Sequence, residues 1–137
     1  MKTVKIALLG FGTVSQGTFN LLQDNADLIT NRSGVTIEIS KIFVRNPDKY
    51  TNITLPSTAQ YVTNIDDVLN DESIAIVVEL MGGTTFAKDC VEAALKHGKS
   101  VVTANKDLLA EAGPYLFDLA YNCLLYTSDA ADELTRV

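Results

Sequence analysis

The sequence lacks the features that mark several large classes of protein. Only two cysteines are present, Cys90 and Cys123, and they lie far apart and outside any CxxC pattern. Such sparse use of cysteine is typical of a reduced compartment, so we expect a cytoplasmic protein. No uninterrupted apolar run approaches the roughly 20 residues that a membrane-spanning helix needs, which excludes a spanning segment of that kind.

Positive charge is also in short supply. The chain has 11 Lys and Arg against 17 Asp and Glu, a formal net charge of −6, and its basic residues form no cluster. This argues against nucleic acid or an anionic membrane as the main partner, because both are bound through basic patches. The acidic residues show none of the spacings typical of metal ligands, so we predict no metal site. The single histidine, His97, falls in the last turn of a predicted helix, which favours a structural role.

Short apolar segments alternate with amphipathic ones along the 137 residues, a length that suits one domain. The pattern predicts strands at residues 4–9, 37–44, 59–62, 74–81 and 100–103. Helices are predicted at residues 14–22, 65–69, 87–97 and 106–112, the last ended by Gly113 and Pro114, with a polar loop at residues 31–34. This alternation predicts an α/β fold with a doubly wound, mostly parallel sheet, in which ligands bind at the carboxyl ends of the strands.

A glycine-rich turn follows the first predicted strand and opens the first helix. Gly10 suits a tight turn, and Gly12 leaves room for a ligand to approach the backbone. The amides of Thr13 and Val14 would then face the pyrophosphate of a dinucleotide. Ser15 occupies the place of the third glycine in the GxGxxG pattern. A plain strand–helix turn is the alternative, but the position of this turn in the chain favours nucleotide binding.

The second predicted strand ends at Val44 and is followed by Arg45 rather than by an acidic residue. A carboxylate at this point usually accepts hydrogen bonds from the ribose of NAD, whereas a guanidinium pairs with the 2′-phosphate of NADP. The residue therefore predicts a preference for NADP(H), or tolerance of both cofactors. A solvated arginine in a turn before Pro47 is the alternative.

Two later turns fall at the same predicted edge of the sheet. Gly82 and Gly83 would let a flat ring lie against the backbone, and the hydroxyl of Thr84 can bond a carboxamide, although a simple turn fits equally well. Lys106 would hold a substrate carboxylate or carbonyl oxygen, or assist a proton transfer. The alternatives are an exposed first-turn lysine, and a purely helix-capping role for Asn105.

Together these segments resemble the amino-terminal half of homoserine dehydrogenase. The resemblance covers residues 4–120 and is carried by residues 10–14, 44–45, 78–84 and 101–106. It implies a Rossmann-like fold and a reversible oxidation of L-homoserine to L-aspartate 4-semialdehyde with NADP, or with NAD, on the route to threonine and methionine. It also implies a small-molecule substrate, and that the full-length enzyme is a homo-oligomer.

The resemblance assigns roles to particular residues. It places Lys106, the candidate catalytic residue, near both cofactor and substrate. Together with the residue types discussed above, it gives a predicted cofactor site of Gly10, Phe11, Gly12, Thr13, Val14, Arg45, Gly82, Gly83, Thr84, Thr103, Asn105 and Lys106.

From about Tyr121 the chain departs from the family's pattern, and residues 123–133 resemble a translated sequencing adapter. We therefore expect a cofactor-binding domain at residues 1–120 and a poorly ordered, artefactual tail at residues 121–137. Family members continue into a second domain that supplies the remaining substrate-binding groups and the oligomer contact, so we expect this chain alone to be inactive. Another NAD(P)-dependent reductase of similar fold, a nucleotide-binding module without chemistry, and an inert fragment are the alternatives.

Overall fold

A five-stranded parallel sheet forms the centre of the molecule. The computed structural model describes residues 2–131, and the side chains of residues 2–123. The strands are β1 (Lys2–Leu9), β2 (Val35–Phe43), β3 (Gln60–Val62), β4 (Ile74–Glu79) and β5 (Ser100–Thr103). Their order across the sheet is β3-β2-β1-β4-β5, and every neighbouring pair is parallel. The predicted doubly wound sheet is confirmed, and its order reverses direction between β1 and β4, where such folds bind ligands.

Helices follow the strands. They are α1 (Thr13–Asp24), α2 (Ala26–Ser33), α3 (Asp66–Leu69), α4 (Thr85–Lys96) and α5 (Lys106–Ala131), with one 3₁₀ turn at Pro47–Tyr50. Over residues 2–131, none of these helices has the length and apolar character needed to cross a membrane.

The central strand β1 is buried on both faces, as its continuous apolar run predicts. Successive side chains alternate between the two faces of the sheet. Leu9 packs in a cluster with Cys90 of α4, whereas Leu8 packs in a second cluster with Phe19 of α1. Both leucines are fully buried, and this double burial fixes the end of β1, from which the glycine turn starts.

The prediction for the last helix is wrong about its end. The sequence predicts a stop at Gly113 and Pro114, but α5 continues through both residues to Ala131. Leu108, Ala112 and Leu116 recur at every fourth position and are all buried in a cluster with α4. Burial of this stripe outweighs the roughly 3 kcal/mol that a proline costs inside a helix.

The ends of α2 and α5 set two further boundaries. The polar loop predicted at residues 31–34 is wrong, because α2 extends through Ser33 and ends at Gly34 in the left-handed conformation. The poorly ordered tail predicted from residue 121 falls partly on residues 132–137, which lie outside the described residues. The backbone of residues 121–131 continues α5.

Candidate functional site

A cleft of about 580 Å³ opens at the carboxyl ends of β1, β2 and β4. Three loops line it, one after each of these strands, and the start of α4 closes one side. The lining residues are Gly10, Phe11, Gly12, Phe43, Val44, Arg45, Asn46, Lys49, Tyr50, Leu80, Met81, Gly82, Gly83 and Phe86. The cleft therefore lies at the point of the sheet where the strand order predicts a ligand site.

The amino terminus of α1 faces this cleft at Gly12. Gly12 precedes the helix and provides no side chain to cap it, and the first turn contains no acidic residue. The first hydrogen bond within the helix is donated by Gln16 N–H to the carbonyl oxygen of Gly12, at 2.9 Å. The amides of Thr13 and Val14 come before that bond, so the helix gives them no acceptor. Such amides carry partial positive charge and suit a phosphate group.

The fold requires glycine at position 10 of this turn but not at position 12. Gly10 has φ +90°, and a Cβ on it would lie 3.0 Å from Cγ of Met81 and 3.4 Å from the carbonyl oxygen of Leu80. The fold itself therefore demands glycine there. Gly12 has φ −76°, which any residue adopts, and a Cβ on it would meet nothing within 4 Å. Only a ligand in the cleft would be affected by a side chain at Gly12.

Phe11 is among the lining residues, but its side chain is buried in a cluster of aromatic rings. It is 2% exposed and meets the rings of Phe19, Tyr50 and Tyr61 edge-on, at centroid distances of 5.4–5.9 Å. The amide of the Gln16 side chain donates to the carbonyl oxygen of Phe11 at 2.7 Å, which holds the turn in place. Phe11 therefore offers a cofactor very little exposed surface.

Arg45 lies at the edge of the cleft beyond β2. Its guanidinium stands over the ring of Phe86, 5.5 Å from the centroid, at the start of α4. Lys49 lines the same side, and the cleft lining includes no Asp or Glu. Both cations favour an anionic ligand here. Sequence reasoning missed Lys49 and Phe86, because a lysine in a polar loop and an aromatic residue in a first helical turn give no local signal of a site.

On the other side of the cleft, a buried carboxylate joins the ends of β4 and β5. Glu79 is fully buried, and its Oε2 accepts a hydrogen bond from Met81 N–H at 2.8 Å. Its Oε1 accepts one from the hydroxyl of Thr103 at 2.6 Å. The Thr103 hydroxyl oxygen in turn accepts from Asn105 N–H at 3.0 Å. No local signal in the sequence distinguishes Glu79 from the apolar strand residues around it.

Asn105 connects the start of α5 to the glycine turn. Its side-chain amide donates to the carbonyl oxygen of Gly83 at 2.6 Å, and its Oδ1 accepts from Leu108 N–H at 3.0 Å. The same side chain thus caps α5, as predicted, and holds the glycine turn. Lys106 follows directly and is exposed, and it forms no ion pair or side-chain hydrogen bond with any residue that the structure describes.

The cleft lining thus includes part of the predicted site and leaves the rest beside it. The predicted residues that line it are Gly10, Phe11, Gly12, Arg45, Gly82 and Gly83. The predicted residues outside the lining are Thr13, Val14, Thr84, Thr103, Asn105 and Lys106. Thr13 and Val14 adjoin it through the start of α1, and Asn105 through its bond to Gly83.

Cys90 lies behind this site and has no nucleophilic character. Burial raises the pKa of its thiol to about 11, and the nearby carboxylates of Asp89 and Glu79 act in the same direction. The thiol therefore stays protonated at neutral pH. Among the described residues, no group of three or more His, Cys, Asp or Glu side chains is placed to hold a metal ion.

Comparison with known proteins identifies the family. Residues 10–123 match the family model described as "Homoserine dehydrogenase, NAD binding domain". The homoserine dehydrogenase of Pseudomonas aeruginosa is 45% identical over 118 residues, covering 85% of this chain and 26% of that protein. The enzyme of Bacillus subtilis is 36% identical over 116 residues, which cover 85% of this chain and 27% of that protein.

Solved structures agree with this comparison. A homoserine dehydrogenase from Thiobacillus denitrificans superposes with a TM-score of 0.82 at 42% identity, covering 89% of this chain and 28% of that one. The S. aureus enzyme at pH 6.0 superposes with a TM-score of 0.80 at 39% identity, covering 90% of this chain and 32% of that one. The chain spans about a quarter of the length of the curated relatives it matches. Since the family model matches well over half of its residues, the chain belongs to the homoserine dehydrogenase family and contains that family's NAD-binding domain.

Proposed function

We propose that this chain binds NADP(H), or less tightly NAD(H), and forms the cofactor-binding part of an oxidoreductase that interconverts L-homoserine and L-aspartate 4-semialdehyde. One observation carries the proposal. The amides at the start of α1 have no capping side chain, and they adjoin a cleft whose lining includes no Asp or Glu. Gly12 lies beside these amides, and the fold has room for a side chain there, so its absence leaves space for a ligand. The cleft volume of about 580 Å³ lies within the range usual for small-molecule sites.

Each part of the cleft has a role in this proposal. The amides of Thr13 and Val14 bind the pyrophosphate, and Arg45 pairs with a 2′-phosphate while its position is held by Phe86. The nicotinamide side lies against Gly82 and Gly83. When bound, the cofactor supplies a hydride acceptor at nicotinamide C4 for the alcohol carbon of homoserine.

Lys106 is the residue of this chain that we propose to act on the substrate. It lies one residue beyond Asn105, whose side chain is bonded to the glycine turn. An ammonium there can hold the reacting oxygen or the carboxylate of homoserine and stabilise charge that develops during proton transfer. Because the chain spans about a quarter of its relatives' length, we propose that the other substrate-binding groups lie outside it. We therefore expect this chain by itself to show negligible turnover of homoserine.

Three further points belong to this proposal. The cofactor-binding domain comprises residues 1–120, and the match to the family model extends three residues beyond it, to residue 123. The complete enzyme is cytoplasmic, in keeping with the sparse use of cysteine in this chain. It assembles as a homo-oligomer through residues that this chain does not contain.

The test is a titration with NADPH of the wild-type chain and of two alanine variants in the same segment. Gly12→Ala places a methyl group in the cleft without disturbing the fold, so we expect at least about a tenfold loss of affinity, which corresponds to about 1.4 kcal/mol. Gly17→Ala is the matched control. It also introduces a methyl group that meets nothing within 4 Å, but it lies outside the cleft lining, so affinity should not change.

Labelled protein gives a second measurement. The amide resonances of Thr13 and Val14 should shift on addition of NADPH, whereas those of Gly17 should move little. No binding by the wild-type chain, or equal affinities for the two alanine variants, would contradict the proposal.

A further inference from the structure

Glu79 is a buried carboxylate that lies outside the cleft lining and makes none of the proposed contacts with the cofactor. It is fully shielded from solvent at the end of β4, and among the described residues it is the only carboxylate buried to this extent. Taking a carboxylate out of water is costly unless hydrogen bonds compensate for the lost hydration. Its two partners therefore indicate what its presence achieves.

Those partners belong to the two turns on one side of the cleft. Met81 N–H, at the start of the glycine turn, donates to one carboxylate oxygen at 2.8 Å. The hydroxyl of Thr103, at the end of β5, donates to the other at 2.6 Å. Since Asn105 N–H donates to the Thr103 hydroxyl oxygen, that hydroxyl has its own hydrogen available for Glu79. Met81, Glu79, Thr103 and Asn105 are thus linked by a continuous series of hydrogen bonds in which every donor has an acceptor.

A further hydrogen bond closes this series into a ring. The side chain of Asn105 donates to the carbonyl oxygen of Gly83, two residues beyond Met81. Between these two attachments lies Gly82, with φ +79°, followed by Gly83 with φ +72°. Glycines at such angles have little conformational preference of their own. The shape of the turn is therefore set by the two attachments, one through Glu79 and one through Asn105.

We propose that Glu79 is a positioning residue that fixes the wall of the cleft against which the nicotinamide ring packs. The inference rests on the proposed function. Through Met81 the carboxylate holds the beginning of the glycine turn, and through Thr103 it holds the segment that leads into Asn105 and Lys106. We expect its effect to fall on the nicotinamide half of the cofactor, because its hydrogen bonds go to Met81 and Thr103 and none goes to the start of α1 or to Arg45.

The experiment compares two ligands that differ only in this half. NADPH carries the nicotinamide ring, whereas 2′-phospho-ADP-ribose has the same phosphates, ribose and adenine without it. In Glu79→Gln, the side-chain oxygen must accept from Met81 N–H, which turns the new NH₂ group towards the Thr103 hydroxyl and removes that hydroxyl's acceptor. We expect affinity for NADPH to fall about tenfold, the effect of one lost buried hydrogen bond, while affinity for 2′-phospho-ADP-ribose stays within about twofold.

Further variants separate positioning from folding. Thr103→Val removes the same hydrogen bond without changing the carboxylate, and it also removes the acceptor of Asn105 N–H, so we expect a loss at least as large for NADPH only. Thr103→Ser keeps the hydroxyl and should bind as wild type does. Glu92→Gln is the matched control, since Glu92 of α4 accepts from Tyr115 and pairs with Lys96, outside the cleft lining. Thermal unfolding of each variant shows whether it is folded. If Glu79→Gln does not fold, the comparison of the two ligands is made with Thr103→Val instead.

The outcomes distinguish this inference from the proposed function. If the wild-type chain binds neither ligand, the proposed function fails. If it binds both with equal affinity, or if Glu79→Gln and Thr103→Val weaken both ligands alike or neither, the cofactor proposal stands and the positioning role is overturned. A loss restricted to NADPH, restored in Thr103→Ser, supports it.

Discussion

The side-chain amide of Asn105 donates a 2.6 Å hydrogen bond to the carbonyl oxygen of Gly83, which joins two turns that lie 22 residues apart in the chain. The same side chain accepts from Leu108 N–H and so begins α5. One residue therefore sets the distance between the glycine turn and the first residue of that helix, Lys106. A proposed substrate-binding lysine thus keeps a fixed place beside the cleft although its own side chain is exposed.

The choice between NADP(H) and NAD(H) is expected to depend on Arg45. Its guanidinium is held over Phe86 at the rim of a cleft whose lining includes no acidic residue. Arg45→Ala should raise the dissociation constant for NADPH about tenfold, the effect of losing one charge-assisted contact, and leave that for NADH nearly unchanged. Titration of both cofactors measures this. Arg32→Ala, in the last turn of α2, is the control, and an unchanged affinity for NADPH would remove the assignment.

Ser15 is expected to lower the stability of the domain. Its side chain is fully buried, and Oγ has no hydrogen-bond partner in the described structure. The carbonyl oxygen of Phe11, four residues earlier, accepts from the Gln16 side chain and not from Ser15. Ser15→Ala removes the unsatisfied hydroxyl and improves helix propensity, so the free energy of unfolding should rise by about 1 kcal/mol.

Urea unfolding checks the Ser15 prediction. Ser33→Ala is the matched control, because the Ser33 hydroxyl is fully used. It donates to the carbonyl oxygen of Ile29 and accepts from Val35 N–H, so its removal should lower the free energy of unfolding. A Ser15→Ala chain no more stable than wild type would show that the hydroxyl has a partner after all.

Asp71 is expected to make stability depend on pH in the acid range. Hydrogen bonds from Ser73, together with the ion pair to Lys41 at 3.0 Å, lower the pKa of this carboxyl from 3.8 to about 2. The unfolded chain binds the proton more tightly than the folded chain does. The stabilisation is therefore complete above about pH 4 and is lost as the pH falls through about 2. Because solvent screens the pair, we expect a contribution of about 1 kcal/mol.

Chemical unfolding at pH 6 and at pH 2 measures this contribution. The difference in unfolding free energy between the wild-type chain and Asp71→Asn should be present at pH 6 and should shrink at pH 2. Asp27→Asn, in the first turn of α2, serves as the comparison for loss of a carboxylate. A difference that is the same at both pH values would rule out the lowered pKa as its source.

The sequence alone determined the architecture and one side of the candidate site. The strands follow from apolar runs, and the turns after them follow from glycines and polar residues, which are local properties that a single segment displays. Gly10 and Gly12 could be singled out in this way. So could Arg45, because the end of a strand is visible in the sequence.

Only the tertiary structure decided how these segments work together. The role of Glu79 depends on Thr103, 24 residues away, and the hold on Arg45 depends on Phe86 of another element. The course of α5 through Pro114 depends on the apolar face of α4. Each of these outcomes is a balance between a local cost, such as a buried charge or a proline in a helix, and a contact that exists only once distant segments have packed. The cost can be read in the sequence, but the contact that offsets it cannot.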